Sequence, residues 1–316
     1  MKAVVLSGVT PAGEIHLSEV KTPEAVPGWV VVKIKAFGLN HSEKILRLDE
    51  IRAEYIRKPV IPGIECAGEI ADGSDTPLRP GRKVIAMMGG MGRSFDGSYA
   101  EYALLPAHHV FAVQTDMPWE ELGALPETFF TAWGSLFEGL RLEAGDTLLV
   151  RGGTCALGYA AIQLAKALGC RVVATARREE KFASLRAAGV DECLCDGGEI
   201  AGQVRATKAL ELVGPKTLRD TLRCVERGGI VCDTGILGGV YRLDGFDPVK
   251  DIPNGAFLTG FFSNFPSRTA VDEMMAFIRA HGIQPRIGAV YPLPKIAEAC
   301  AALDAGSADG KIVVTV

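Results

Sequence analysis

Residues 146–169 read Asp146-Thr-Leu-Leu-Val-Arg-Gly-Gly-Thr-Cys-Ala-Leu-Gly-Tyr-Ala-Ala-Ile-Gln-Leu-Ala-Lys-Ala-Leu-Gly169. The apolar run Thr147 to Val150, the glycine pair after Arg151 and the apolar periodicity beyond predict strand, tight turn and helix, in that order. Gly152, Gly153 and Gly158 fit a dinucleotide turn, with Gly153 and Gly158 as the outer members of G-x-G-x-x-G and Cys155 in its middle place. Backbone N–H groups of Thr154, Cys155, Ala156, Leu157 and Gly158 would then face a pyrophosphate at the start of the helix, where the macrodipole also favours negative charge. Gly158 would let the helix pack closely on its strand. The competing reading of so short a signal is a plain strand-to-helix turn.

The next apolar run, Arg171 to Thr175, leads into Ala176-Arg-Arg178 rather than into the acidic residue that binds the ribose 2′-hydroxyl of NAD. A cationic end there suits a 2′-phosphate and predicts NADPH, with Arg177 and Lys181 as the contacts. The alternative for both is a solvated helix start, a role that Arg178, Glu179 and Glu180 fit better. From about Gly123 onward, helical periodicity alternates with short buried runs such as Gly229-Ile-Val-Cys232, which implies a parallel sheet with crossover helices. Before it the texture is strand-like: in Trp29-Val-Val-Val-Lys-Ile-Lys-Ala36, the residues Val30, Val32, Ile34 and Ala36 alternate with outward candidates, and Pro-Gly pairs punctuate the rest. That half reads as a mostly antiparallel β-domain. Toward the end, a helix over 268–280, a strand over 288–291, a helix over 293–304 and a last strand over 311–316 are expected.

Length and composition bound the rest. A chain of 316 residues is long enough for two domains, and a net charge of −4 argues against nucleic acid as the main partner. No apolar run reaches the roughly 18 residues of a membrane span, and the first residues lack the pattern of a signal peptide, so a cytoplasmic protein without membrane partners is expected. The eight cysteines are scattered without a CxxC pair, which reads as reduced thiols.

Beyond these local signals, the order of blocks over nearly the whole chain resembles the zinc-independent branch of the medium-chain dehydrogenase/reductase superfamily, close to quinone oxidoreductase and zeta-crystallin-like proteins. The blocks are Gly38-Leu-Asn-His-Ser-Glu43, Pro62-Gly-Ile-Glu-Cys-Ala-Gly-Glu-Ile70, Gly81-Arg-Lys-Val84, Gly97-Ser-Tyr-Ala-Glu-Tyr102, Thr131-Ala-Trp133, the glycine turn, Glu211-Leu-Val-Gly214, Gly228-Gly-Ile-Val231 and Gly310-Lys-Ile-Val-Val314. The resemblance implies an α/β fold: a GroES-like β-rich catalytic domain over 1–123, an inserted Rossmann-type NADPH domain over 124–260, and a return to the first domain over 261–316. It also implies a homodimer and an active site in a cleft.

For the reaction, the resemblance implies hydride transfer to a small quinone or other α,β-unsaturated carbonyl. The alternatives are an enoyl-thioester reductase and a non-catalytic NADPH-binding protein. The zinc-dependent branch has Cys where this chain has Asn40 and His where it has Ile64, so no metal is expected. Asn40 matches the asparagine beside nicotinamide and substrate, with a helix cap as its competing role. Thr131 matches a threonine near the nicotinamide, and a structural hydroxyl is its competitor. Gly235 and Leu237 fall to the cofactor, and Phe261 and Phe262 are expected to wall the cleft or fill the core. The family's tyrosine after the asparagine is replaced by Ile45; Tyr55 is the stand-in phenol, with His41 and Arg47 as other polar candidates.

Overall fold

In the computed structural model, which describes all 316 residues, the chain opens on a small antiparallel ribbon of β1 (Lys2–Val4) against β2 (Leu17–Glu19). The long alternating run becomes β3 (Trp29–Leu39), followed by α1 (His41–Leu48), β4 (Glu65–Asp72), β5 (Lys83–Met87), β6 (Tyr102–Pro106), β7 (Val110–Ala112), α2 (Trp119–Gly123) and α3 (Pro126–Trp133). The expected alternation in β3 holds only up to Ile34. A register shift against β4 between Ile34 and Ala36 turns Phe37 into the main core with Val30, Val32 and Ile34, and sends Ala36 to the other face against Ala124 and Val313. Because side chains alternate with a period of two, one extra residue exchanges the faces of everything after it.

The middle of the chain carries β8 (Thr147–Arg151), α4 (Ala156–Leu168), β9 (Arg171–Ala176), α5 (Phe182–Ala187), β10 (Glu192–Cys195), β11 (Ala206–Glu211), α6 (Leu218–Leu222), β12 (Val225–Asp233), α7 (Pro248–Asp251) and β13 (Phe257–Gly260). Its six strands are all parallel in the order β10-β9-β8-β11-β12-β13. Leu148, Leu149 and Val150 are fully buried, as the centre of a sheet covered on both faces requires. The order of strands reverses between β8 and β11, so the glycine turn leaves β8 at the point where open α/β sheets take ligands.

The chain ends with α8 (Arg268–Ala280), β14 (Ile287–Pro292), α9 (Ile296–Ala305) and β15 (Lys311–Thr315). The expected helix over 293–304 is a single 3₁₀ turn at Leu293–Lys295 that runs into α9. Strand β15 pairs antiparallel with β3, Ile312 opposite Leu39, within a seven-stranded sheet of β14-β15-β3-β4-β5-β7 and the side strand β6. Two units result: residues 1–127 with 264–275 and 284–316, and residues 128–263 with 276–283. The last turns of α8 and the loop after it thus group with the parallel-sheet unit, although the sequence placed all residues from 261 onward with the first domain.

Candidate active site

In the parallel-sheet unit the turn after β8 is built by Thr175 on the neighbouring strand. Its hydroxyl accepts the Gly152 N–H at 3.0 Å and its carbonyl accepts the Gly153 N–H at 3.0 Å. Gly152 has φ +85°, a left-handed backbone that side chains avoid. A Cβ on Gly158 would lie 2.6 Å from the Gly153 carbonyl oxygen, so only glycine lets α4 start this close to the turn. Cys155 is the N-cap of α4, and its sulfur accepts the Gly158 N–H at 3.2 Å. Ahead of that bond, the N–H groups of Ala156 and Leu157 have no carbonyl of their own helix to meet. Thr154 precedes them in the same turn.

The same unit carries several of the other expected residues. Gly235 and Leu237, just past β12, donate backbone N–H groups to Glu211 and Leu212, each at 3.1 Å. The Leu237 side chain reaches within 3.3 Å of where a Gly152 Cβ would be. Thr131 is buried in α3; its carbonyl accepts the Ser135 hydroxyl at 2.7 Å, and Ser135 lies 2.9 Å from the Thr234 hydroxyl at the end of β12. Phe261 packs edge-on to Phe130 and over Gly134, whereas Phe262 is 71% exposed. Arg177 ends β9 exposed, and Lys181 is half-buried at the end of the turn Glu179–Lys181.

In the first unit Asn40 stands between β3 and α1 as the helix N-cap, and Lys311 and Glu65 hold its side-chain amide. Oδ1 accepts from the Lys311 ammonium at 2.5 Å, and Nδ2 donates to Glu65 at 2.8 Å. Lys311 can only donate and the ionised Glu65 only accepts, so the amide has one orientation, with its N–H edge away from the cation. Lys311 and Glu65 also pair directly at 2.6 Å, with exposures of 3% and 0%. The second oxygen of Glu65 accepts the Glu127 N–H at 2.7 Å, in the first turn of α3, where a carboxylate is favoured. Gly38 makes room for the pair: a Cβ there would fall 2.2 Å from the Lys311 side chain. Glu43, three residues into α1, accepts the Asn40 N–H at 2.6 Å and the Ile64 N–H at 3.1 Å.

The other polar candidates have different settings. Tyr55 is 69% exposed and its hydroxyl donates to Glu50 at 2.9 Å; Arg93 holds Glu50 and reaches on to Ser42. Arg47 is not a cleft residue: at 1% exposure it is paired with Asp304 and donates to the Thr10 carbonyl, which fixes α1 to the start of the chain and to α9. His41 is exposed at the start of α1, and partial desolvation and the nearby Lys44 hold its imidazole below the usual range.

Two buried features escaped the sequence reading. Arg151, at the end of an apolar strand, is fully buried and paired with Asp196 at 2.8 Å and Asp220 at 2.7 Å, directly under the glycine turn. Asp233, opposite Glu211 in the register of β11 and β12, has its Oδ1 buried without a hydrogen bond. Burial and the neighbouring Glu211 push its carboxyl up to about 7. The Asn40-x-x-Glu43 spacing of a capping box was the one available signal for Glu43; nothing local marks Arg151 or Asp233. Cys193 and Cys195, on β10, are half-buried and exposed.

These groups set a pH dependence of stability. Burial also raises Glu43 to about 7, and a carboxyl raised on folding stabilises fully below its unfolded value and loses that contribution as pH rises through the folded one. Asp196, held down by Arg151, and Asp220, held down by the Ile200 N–H and Arg151, act oppositely and lose theirs as pH falls below their unfolded value. Thermal midpoints measured against pH are therefore expected to decline from the unfolded carboxylate range near about 4 up to about 7, and to fall again below it.

Residues 26–115 match the alcohol dehydrogenase GroES-like domain family and residues 156–280 the zinc-binding dehydrogenase family. The quinone oxidoreductase of Homo sapiens is 26% identical over 316 aligned residues, covering 94% of this chain and 92% of its own. The chain belongs to the medium-chain dehydrogenase/reductases, in their quinone oxidoreductase-like group. This oxidoreductase shares its fold with the quinone oxidoreductase of Coxiella burnetii, at a TM-score of 0.85, 22% identity and coverage of 100% and 99% of the two chains. It shares it equally with a mycobacterial protein complexed with NADPH, at a TM-score of 0.86, 22% identity and full coverage of both. Around Asn40 and Ile64, Glu65 is already paired with an ammonium, and no group of three His, Cys, Asp or Glu side chains is arranged around a common point.

Proposed function

We propose that this oxidoreductase is a zinc-free, NADPH-dependent reductase of quinones or other α,β-unsaturated carbonyls. The observation that carries the reading is the Asn40 amide, held in one orientation by Lys311 and Glu65 at the position where the zinc-dependent branch has a metal ligand. One N–H of that amide goes to Glu65; the other, 3.5 Å from Glu43, is the preorganised donor for negative charge developing on an acceptor oxygen. One amide is a weaker electrophile than a metal ion, which suits acceptors that spread the charge by conjugation over simple ketones. Bound NADPH supplies the hydride.

Gly152, Gly153, Thr154, Cys155, Ala156, Leu157 and Gly158 would hold the pyrophosphate, with Gly235, Leu237, Thr131, Phe261 and Phe262 toward the nicotinamide end. Arg177 and Lys181 would take the 2′-phosphate. Arg177→Ala is expected to weaken NADPH binding by about tenfold to a hundredfold, the value of a charge-assisted phosphate contact, and to leave NADH binding nearly unchanged. Quenching of the three tryptophans on titration with each nucleotide measures both. Tyr55 would have to give up Glu50 to serve as a proton donor. The edge strand β13, with Phe257 58% exposed, offers a surface for the sheet pairing of a homodimer. The eight free thiols suit a cytoplasmic setting. Acceptor-dependent oxidation of NADPH tests the reading as a whole.

A further inference from the structure

Around Asn40 the first unit buries two carboxylates and one ammonium. Glu65 and Lys311 neutralise each other at 2.6 Å, and Glu43, 1% exposed, has no cation within ion-pairing distance. Its oxygens accept only the Asn40 and Ile64 N–H groups and, at 3.5 Å, the Asn40 amide. The groups that face it come from every element around it. Lys311 comes from β15, Glu65 from β4, Arg47 from its own helix, Tyr99 from the segment before β6 and Cys300 from α9. Arg47 is committed to Asp304, and the hydroxyl of Tyr99 and thiol of Cys300 are neutral, both pushed up by burial. When Glu43 is ionised, the buried cluster therefore carries one uncompensated negative charge, in direct hydrogen-bond contact with Asn40.

We propose that Glu43 is a positioning residue that works through Asn40, and that its protonated form is the working form of the enzyme. This rests on the reading above, in which Asn40 donates to the acceptor oxygen. Reduction places negative charge on that oxygen, and a second buried negative charge in hydrogen-bond contact with the donor residue opposes it in a medium of low dielectric. With a proton on Glu43 the cluster is neutral and the amide donates unopposed. Burial raises that carboxyl to about 7, so the change falls near neutral pH.

The test is turnover against pH for the wild type and for Glu43→Gln, saturated with NADPH and with a quinone, alongside an infrared pH titration of the wild type. The wild type is expected to lose about tenfold or more in kcat as pH rises through about 7, a cost of one like-charge contact, with KM nearly unchanged. The infrared carbonyl band of a buried carboxylic acid should fade over the same range. Glu43→Gln should show no such fall in kcat and should lose the Glu43 share of the band, leaving that of Asp233, which burial also raises to about 7. Coincident pH profiles for the two proteins, or an infrared band that does not titrate with the wild-type rate, would overturn the inference. The infrared titration needs no substrate, so a chain that reduces no acceptor at all would count against the proposed function and leave the state of Glu43 separately measured.

Discussion

Replacing Lys311 by methionine is expected to cost about 3–5 kcal/mol of folding stability and to abolish turnover. The ammonium is 3% exposed and serves Glu65 and Asn40 together. Its removal leaves the Glu65 carboxylate, fully buried, without a counter-charge, and breaking a buried pair on one side costs more than the pair contributes. It also releases Oδ1 of Asn40, so the amide loses the contact that fixes its orientation. Lys311→Arg keeps the charge but brings a planar head into a space that only Gly38 leaves open. It should recover most of the stability and only part of kcat. Urea unfolding gives the first quantity and steady-state kinetics the second. A methionine variant as stable as the wild type would show that the pair is not what holds this end of β15 against β3.

Of the three glycines in the turn, Gly158 is the one where an added methyl group meets the backbone most closely, and Gly158→Ala should weaken nucleotide binding sharply. The added carbon would sit 2.6 Å from the Gly153 carbonyl oxygen and 2.7 Å from its carbon, both backbone atoms with no side-chain freedom to give way. The start of α4 has to move off the turn, at an overpacking cost of about 1–3 kcal/mol. The N–H groups of Ala156 and Leu157 move with it. We expect the nucleotide dissociation constant to rise more than tenfold with far-ultraviolet circular dichroism unchanged. Tryptophan quenching on titration with NADPH checks the first, and an unaltered affinity would mean that the phosphate does not sit at this helix end.

How much of this was legible follows from where the information lies. The glycine turn could be read from residues 152–158 alone because backbone conformation and close approach dictate glycine locally, and the structure places Gly152 and Gly158 under those two constraints. The strand-helix alternation was equally local. The face reversal in β3 was not, since the register shift depends on its pairing with β4 and not on β3 itself. Asn40 was found through family likeness, but its partner Lys311 lies 271 residues away. A lysine in the last strand carries no mark of burial until that strand is paired. The same holds for Arg151, which in sequence looks like the polar end of a strand and in the fold is the shared cation of two aspartates.

The central claim, zinc-free reduction of a conjugated carbonyl with NADPH, is tested most directly by following NADPH oxidation with benzoquinone, naphthoquinone, a simple enone, crotonyl thioester and an unconjugated ketone, each with and without a metal chelator. The account predicts turnover with the quinones or the enone, little with the ketone, and no effect of the chelator. Oxidation confined to the thioester, oxidation of NADPH by none of the acceptors, or ketone reduction that the chelator abolishes would contradict it.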